Sequence, residues 1–335
     1  MDSLNLASIF HGYLVSKIDK MNLVLKITIT LGLVTGSLFV LDNFYSSSLR
    51  SNKNTKADYV SSTKIDADVL IHGPCEPLWM VNPEQLDEAT GKKSYNLALS
   101  HSDFADNYLH LYLYLKSNKA PKLILLYVTP ESMDKNFNTF NSYRFAQYMY
   151  DDTVAKVLSE CDAEYYRRIW IPYFAYAYYN KQITFNALQG LKHKKDNRAL
   201  PFFVNGFEPP AKITWDNHLE DMQSQYPQGY EFMIDSSRVK YLKKTIALAK
   251  QYRSKIILFE SPVLSESLKS LKNREETITF INQLAAKENV DYILFKDENL
   301  SASRSNYISS LNLNAKGLVV FNDTLAKYIK NYFTN

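Results

Sequence analysis

Three short apolar runs constrain the fold of this chain more than anything else in it: Val69–His72, Leu123–Val128 and Ile256–Phe259. None of them alternates polar with apolar residues. A strand covered on one face alternates; a strand covered on both faces reads as a continuous apolar run, the pattern of a parallel sheet. Tyr95–Ala98 and Tyr292–Phe295 read as two further strands. Helical patterns fall between them. Pro83 suits a helix's first turn. Asp103 can cap a helix running to about Lys116, with Phe104, Tyr108, Leu111 and Leu115 on one face. Ser236–Tyr252, Glu275–Glu288 and a last stretch from about Ala315 to Tyr332 continue the alternation. The expected fold is α/β: a three-layer α/β/α sandwich around a mostly parallel sheet.

Residues 23–41 are apolar apart from Lys26. As a helix they would extend about 28 Å, enough for the hydrocarbon core of a bilayer. Lys26 lies one turn from the start and can snorkel. Phe44 and Tyr45 follow where an interfacial belt would sit. The reading is a single transmembrane helix over 23–45, preceded by an N-terminal cytoplasmic segment, 1–22. A cleaved signal peptide and a buried soluble helix are the competing readings. Charge does not choose the orientation: Lys17, Lys20 and Lys26 precede the apolar core, and Arg50, Lys53 and Lys56 follow it. Residues 46–64 are rich in Ser, Asn, Lys and Thr and read as a linker. The globular domain is expected over 65–335.

The strand spacing breaks between Val128 and Ile256, so 135–235 reads as a helical insertion. Within it, Tyr165–Gln189 is strongly aromatic, with Tyr165, Tyr166, Trp170, Tyr173, Phe174, Tyr176, Tyr178 and Tyr179, flanked by Arg167, Arg168 and Lys181. Such a segment either packs on the core or lies on a bilayer or a membrane partner. Residues 191–230, with Pro201, Pro209 and Pro210, read as a long polar loop. The net charge of +4 comes from 39 basic and 35 acidic residues. That balance argues against the concentrated basic face of a nucleic-acid binder. The two cysteines, Cys75 and Cys161, form no CxxC or Cys/His cluster that would suggest zinc. They lie on segments that read as different elements, so no bridge is expected. His72-Gly73-Pro74 lacks the further glycines of a dinucleotide or phosphate loop. No metal and no cofactor is expected.

Four blocks carry a resemblance. Gly73-Pro74-Cys75-Glu76, after the first strand, looks like a Gly-Ser-Ser-Glu or Gly-Ser-Ser-Arg nucleophile turn. Val81-Asn82-Pro83 with Tyr95-Asn96-Leu97-Ala98 looks like a second block, and Pro121–Leu126 like a central strand. Leu311-Asn312-Leu313-Asn314-Ala315-Lys316-Gly317 looks like a closing Asp-x-x-His-Leu-Asn-x-x-Gly motif. In this order, over roughly Ile65 to Tyr332, the chain resembles bacterial membrane-anchored SGNH/GDSL-hydrolase-like proteins, a family that includes the D-alanyl transfer protein of teichoic acid assembly.

The resemblance puts Cys75 at the nucleophile position, Asn312 at the His position and Ser309 at the Asp position. Gly73, Glu76, Asn96 and Ala98 would surround the oxyanion or substrate. In working members the His takes the nucleophile's proton and the Asp fixes its tautomer. Asn312 is not basic and Ser309 is not anionic, so the implied machinery is degenerate. A thiol needs a base less than a hydroxyl does, since it ionises near ~8.5 and is strongly nucleophilic. His101, after the second strand, is the expected rescue base; His72 is either a base or a core residue. Asp106 and His110, four apart, read as a surface pair. Asp216 and His218 fall in the long loop. Glu260, Asp297 and Glu298 follow strands and could reach the site.

Two functions follow from the resemblance. One is an inert protein outside the cytoplasmic membrane that binds a glycan, an acyl donor or a partner such as a multi-span O-acyltransferase, and assists acyl modification or export of a cell-surface polysaccharide. The other is an active O-acyltransferase or esterase that forms a thioester on Cys75. A spacer domain with a filled pocket is a third reading.

Overall fold

The computed structural model describes residues 22–51, 55–137, 140–178, 181–193, 204–209 and 215–334. The segment 1–21, and with it Lys17 and Lys20, lies outside these residues. So do Lys53, Tyr179, Pro201, Pro210 and the side chains of Arg167, Arg168, Tyr178 and Lys181.

Five strands form one all-parallel sheet: β1 (Val69–His72), β2 (Ser94–Asn96), β3 (Leu123–Tyr127), β4 (Lys255–Glu260) and β5 (Asp291–Leu294). Their order is β2-β1-β3-β4-β5. Ile71 aligns with Asn96 on one side and Leu125 on the other, and Leu126 aligns with Leu258. β1 and β3 are buried throughout, as their apolar runs require, and β2, Ser94-Tyr95-Asn96, is buried as well although two of its three residues are polar. Alternate residues feed two cores. Leu70, Ile124, Leu126, Ile256 and Leu258 join Leu109, Leu113, Leu242 and Ile246. Val69, Ile71, Leu123, Leu125 and Phe259 join Leu86, Leu318, Phe321 and Leu325. Helices therefore cover both faces of the sheet.

Local chemistry sets the helix ends. Asn82 caps the Pro83–Thr90 helix, and Gly91, at φ 66°, closes it in the left-handed conformation. Asp103 and Asp106 form a capping box at the start of Phe104–Ser117. Asp235 caps Ser236–Gln251, and the last helix runs Ala315–Thr334.

At the N-terminal end, the helix Leu23–Arg50 is long and apolar enough to cross a membrane, and its apolar window buries nothing against the protein. It does not give way to a linker. Asp42, Ser46, Ser48 and Leu49 are buried, and a second helix, Lys56–Ser62, buries Ala57 and Val60 in the core. The polar composition of 46–64 conceals this because its polar groups find partners far along the chain. Asp58 accepts from Gln147 Nε2 and Tyr148 Oη, both at 2.7 Å. Lys56 Nζ donates to the carbonyls of Ala98 and Gly206 at 2.6 and 2.7 Å.

Between β3 and the helix before β4 lie the helices Asp152–Cys161, Tyr165–Ile169, Phe174–Tyr178, Lys181–His193 and His218–Gln225. The last interrupts what read as an unbroken polar loop. Phe145, Val154, Val157 and Leu158 of this interval share the core of the first sheet face.

Candidate functional site at the carboxyl edge of the sheet

The strand order reverses between β1 and β3, and the carboxyl ends of those strands flank the crevice where open α/β sheets bind ligands. β1 leads there into Gly73, whose φ of 144° is a conformation that side-chain-bearing residues rarely adopt. A Cβ at this position would stand 2.8 Å from Tyr127 Cβ and 3.1 Å from Pro77 Cγ. Glycine lets the end of β1 pass against β3. Cys75 then opens the helix Cys75–Met80 and is half-buried.

The loop after β2 runs beside this turn, with Leu97 N donating to Ile71 O at 2.6 Å and Leu99 N to Gly73 O at 3.2 Å. The His101 backbone N–H reaches Cys75 Sγ at 2.8 Å. His101 is exposed and has a left-handed φ of 47°. Its carbonyl accepts from Asn141 Nδ2. Gly73, Cys75, Ala98 and His101 are thus brought together, with His101 meeting the sulfur through its main chain. Asn96 serves the backbone: Nδ2 donates to Pro77 O (2.7 Å) and Val81 O (2.9 Å), and Oδ1 accepts from Ala98 N (3.1 Å). Glu76 is buried, and burial pushes its carboxyl up to about 7, with the nearby Glu131 charge adding to the effect. Its Oε2 has no hydrogen-bond partner.

The loop before the last helix brings Ser309 and Asn312 together. Asn312 Nδ2 and its backbone N both donate to Ser309 Oγ at 3.0 Å, while the buried Oδ1 has no partner. The neighbouring residue supplies what sequence reasoning missed. Ser310 Oγ lies 2.7 Å from His218 Nδ1, so an imidazole stands beside this loop, delivered from 92 residues earlier. Nothing in the spacing of Asp216 and His218 signals the pairing. His218, Ser310, Glu131, Asp134 and Tyr230 line a cavity of about 320 Å³. Tyr226, Tyr230 and Phe232 form an aromatic wall with edge-on contacts at 4.9 and 5.3 Å. Glu131, four residues past the end of β3, is buried, and burial raises its carboxyl. Its Oε1 has no partner.

Other candidates resolve into structural roles. His72 is a core residue: it is buried, its Nε2 lies 2.8 Å from Asn107 O, and burial pulls its imidazole down to about 4. Asp106 and His110 are not a surface pair, because both are buried. Burial pushes Asp106 up and His110 down. Their helix lies between the sheet and the helices Lys56–Ser62, Asp152–Cys161 and Ser236–Gln251, so the face that read as solvated is covered. Glu260 is buried against Arg274 and accepts from Tyr292 Oη at 3.0 Å. Burial still holds it up at about 7, against the pull of Arg274. Asp297 caps the short helix Glu298–Ser301. Among the described residues, no three His, Cys, Asp or Glu side chains converge as metal ligands.

The fold and site define an α/β protein with a doubly wound parallel sheet, a thiol beside its switch point and, among the described residues, one helix long and apolar enough to cross a membrane. No protein-family model matches the chain, and no curated protein matches it.

Proposed function

We propose that this is a membrane-anchored, SGNH-like protein, catalytically degenerate, whose domain lies outside the cytoplasmic membrane and assists acyl modification or export of a cell-surface polysaccharide. One observation carries the reading. Where the resemblance expects an imidazole held by a carboxylate, an amide donates to a hydroxyl, Asn312 Nδ2 to Ser309 Oγ at 3.0 Å. Neither group takes up a proton near neutral pH. Support from position comes from Cys75, which follows β1 beside the strand-order reversal. The cavity at His218 and Ser310 adds carboxyl, hydroxyl and imidazole groups under a tyrosine wall, chemistry suited to a hydroxyl-rich ligand such as a glycan. A multi-span O-acyltransferase is the partner this reading expects, and the helices of 135–235 would be the SGNH fold's insertion.

The test is mass spectrometry of the intact protein after incubation with p-nitrophenyl acetate. The inert reading expects no acyl group that forms on Cys75 and clears with time. An adduct that turns over overturns it in favour of the active O-acyltransferase or esterase. That second reading is favoured by the His101 N–H on Cys75 Sγ at 2.8 Å. A main-chain donor there stabilises a thiolate, and backbone donors around a nucleophile are what an oxyanion needs.

A further inference from the structure

The aromatic segment after residue 164 exposes apolar side chains on its outer surface, and its place is fixed by contacts to the N-terminal helix. Leu41 ends the apolar stretch, and Asp42 follows it, buried at 6% exposure. The Asp42 carboxylate accepts from Tyr173 N at 2.8 Å and from Tyr150 Oη at 3.2 Å. One turn on, Tyr45 meets Tyr173 edge-on at 5.0 Å and stacks on Tyr176 at 6.0 Å. Farther along, Ser48 lies against the helix Lys181–His193, where Gly190 leaves no room for a Cβ.

These contacts use only the inner side of the segment. Trp170 is 81% exposed, and Ile171, Phe174, Phe185 and Leu188 are exposed as well. On Lys181–His193 the buried stripe is Ile183, Ala187 and Gly190, while Phe185 and Leu188 point away from it. A helix apolar on both sides has a second apolar environment to satisfy. Tyr173 touches the first residue past the apolar stretch, so Trp170, Ile171 and Phe174 lie within a few residues of the level where that stretch ends.

We infer that Trp170, Ile171 and Phe174 form a collar that sits in the headgroup zone of the bilayer at the exit of the Leu23–Arg50 helix. The inference rests on that helix crossing the membrane. The occupant is lipid, because the surface adjoins the helix that is, among the described residues, the one long and apolar enough to cross a membrane. Tryptophan and tyrosine suit this zone through an apolar ring with a polar edge. The collar orients the domain, since a single span alone leaves it free to tilt.

The experiment uses the full chain reconstituted in phosphatidylcholine vesicles whose acyl chains are brominated near the headgroup. Of the three tryptophans, Trp170 is the one assigned to lipid. Expected is a quenchable component of the tryptophan emission that disappears in Trp170→Phe, with both proteins resisting extraction by alkaline carbonate. Equal quenching of wild type and Trp170→Phe, with the protein still retained, overturns the collar and leaves the span intact. Release by carbonate overturns the span and the collar with it. A wild-type protein that is retained but unquenched also overturns the lipid assignment, and would turn attention to a protein partner.

Discussion

At the scale of single residues, the sulfur of Cys75 and the backbone of His101 decide how the thiol can react. Their contact runs through the peptide N–H, so His101→Ala should leave the pH profile of Cys75 alkylation unchanged. A shifted profile in the variant would favour His101 as the rescue base: it would mean that the imidazole, not the main chain, controls the thiol. Gly73 is a second test. Gly73→Ala meets both a disfavoured φ and a Cβ 2.8 Å from Tyr127 Cβ, so it should cost about 2 kcal/mol or more, read as a lower melting midpoint in detergent. The position of Cys75 was legible because an apolar run closed by Gly-Pro is a local signal. His218 was not, because its partner Ser310 is distant in sequence and neither residue belongs to a recognisable pattern. Asp106 and His110 misled for a related reason: spacing says that two residues share a helix face, but not what covers that face.

At the scale of elements, β1, β3 and β4 were legible because burial on both faces leaves an apolar run in the sequence, whereas β2 (Ser-Tyr-Asn) and the half-exposed β5 (Asp-Tyr-Ile-Leu) carry a weaker signal. Residues 46–64 were not legible. Serine, lysine and aspartate signal solvent until partners such as Gln147 and Tyr148 are known, and those partners come from another part of the chain. The packing of the N-terminal helix on Lys181–His193 gives a paired prediction. A Cβ on Gly190 would lie 1.7 Å from Ser48 O, whereas nothing stands within 4 Å of one on Gly36. Gly190→Ala should therefore destabilise the protein by about 1–3 kcal/mol, the range for overpacking. Gly36→Ala, in open space inside a helix, should not lower the melting midpoint. Equal midpoints for the two variants would show that the helices are not packed as described.

At the scale of the whole molecule, buried carboxyls and a buried imidazole tie stability to pH in opposite senses. Glu76 is held at about 7, against an ordinary value of 4.5. Between those values the folded chain keeps a proton that the unfolded chain has released, so this group's contribution falls as pH rises. His72, pulled from 6.5 to about 4, acts the other way, and its contribution rises with pH across that interval. Lys56, pushed well below 10.5 by burial, also contributes a rise toward higher pH. The comparison that isolates the carboxyl is Glu76→Gln against wild type. The variant's melting midpoint should gain on the wild type's as pH rises from 4.5 to 7, and the gap should hold steady above that. A gap that does not change with pH would mean that Glu76 ionises in the folded protein as it does in the unfolded one.

The junction at Asp42 and Ser48 has one more consequence. The N-terminal helix passes from its apolar stretch into the domain as one unbroken element, held by Tyr173 at Asp42 and by Lys181–His193 at Ser48. On the membrane-anchored reading proposed above, a body mounted on such a stalk would keep its crevice at a constant height above the lipid. A ligand would then have to arrive at that height, and would be met at the same point each time.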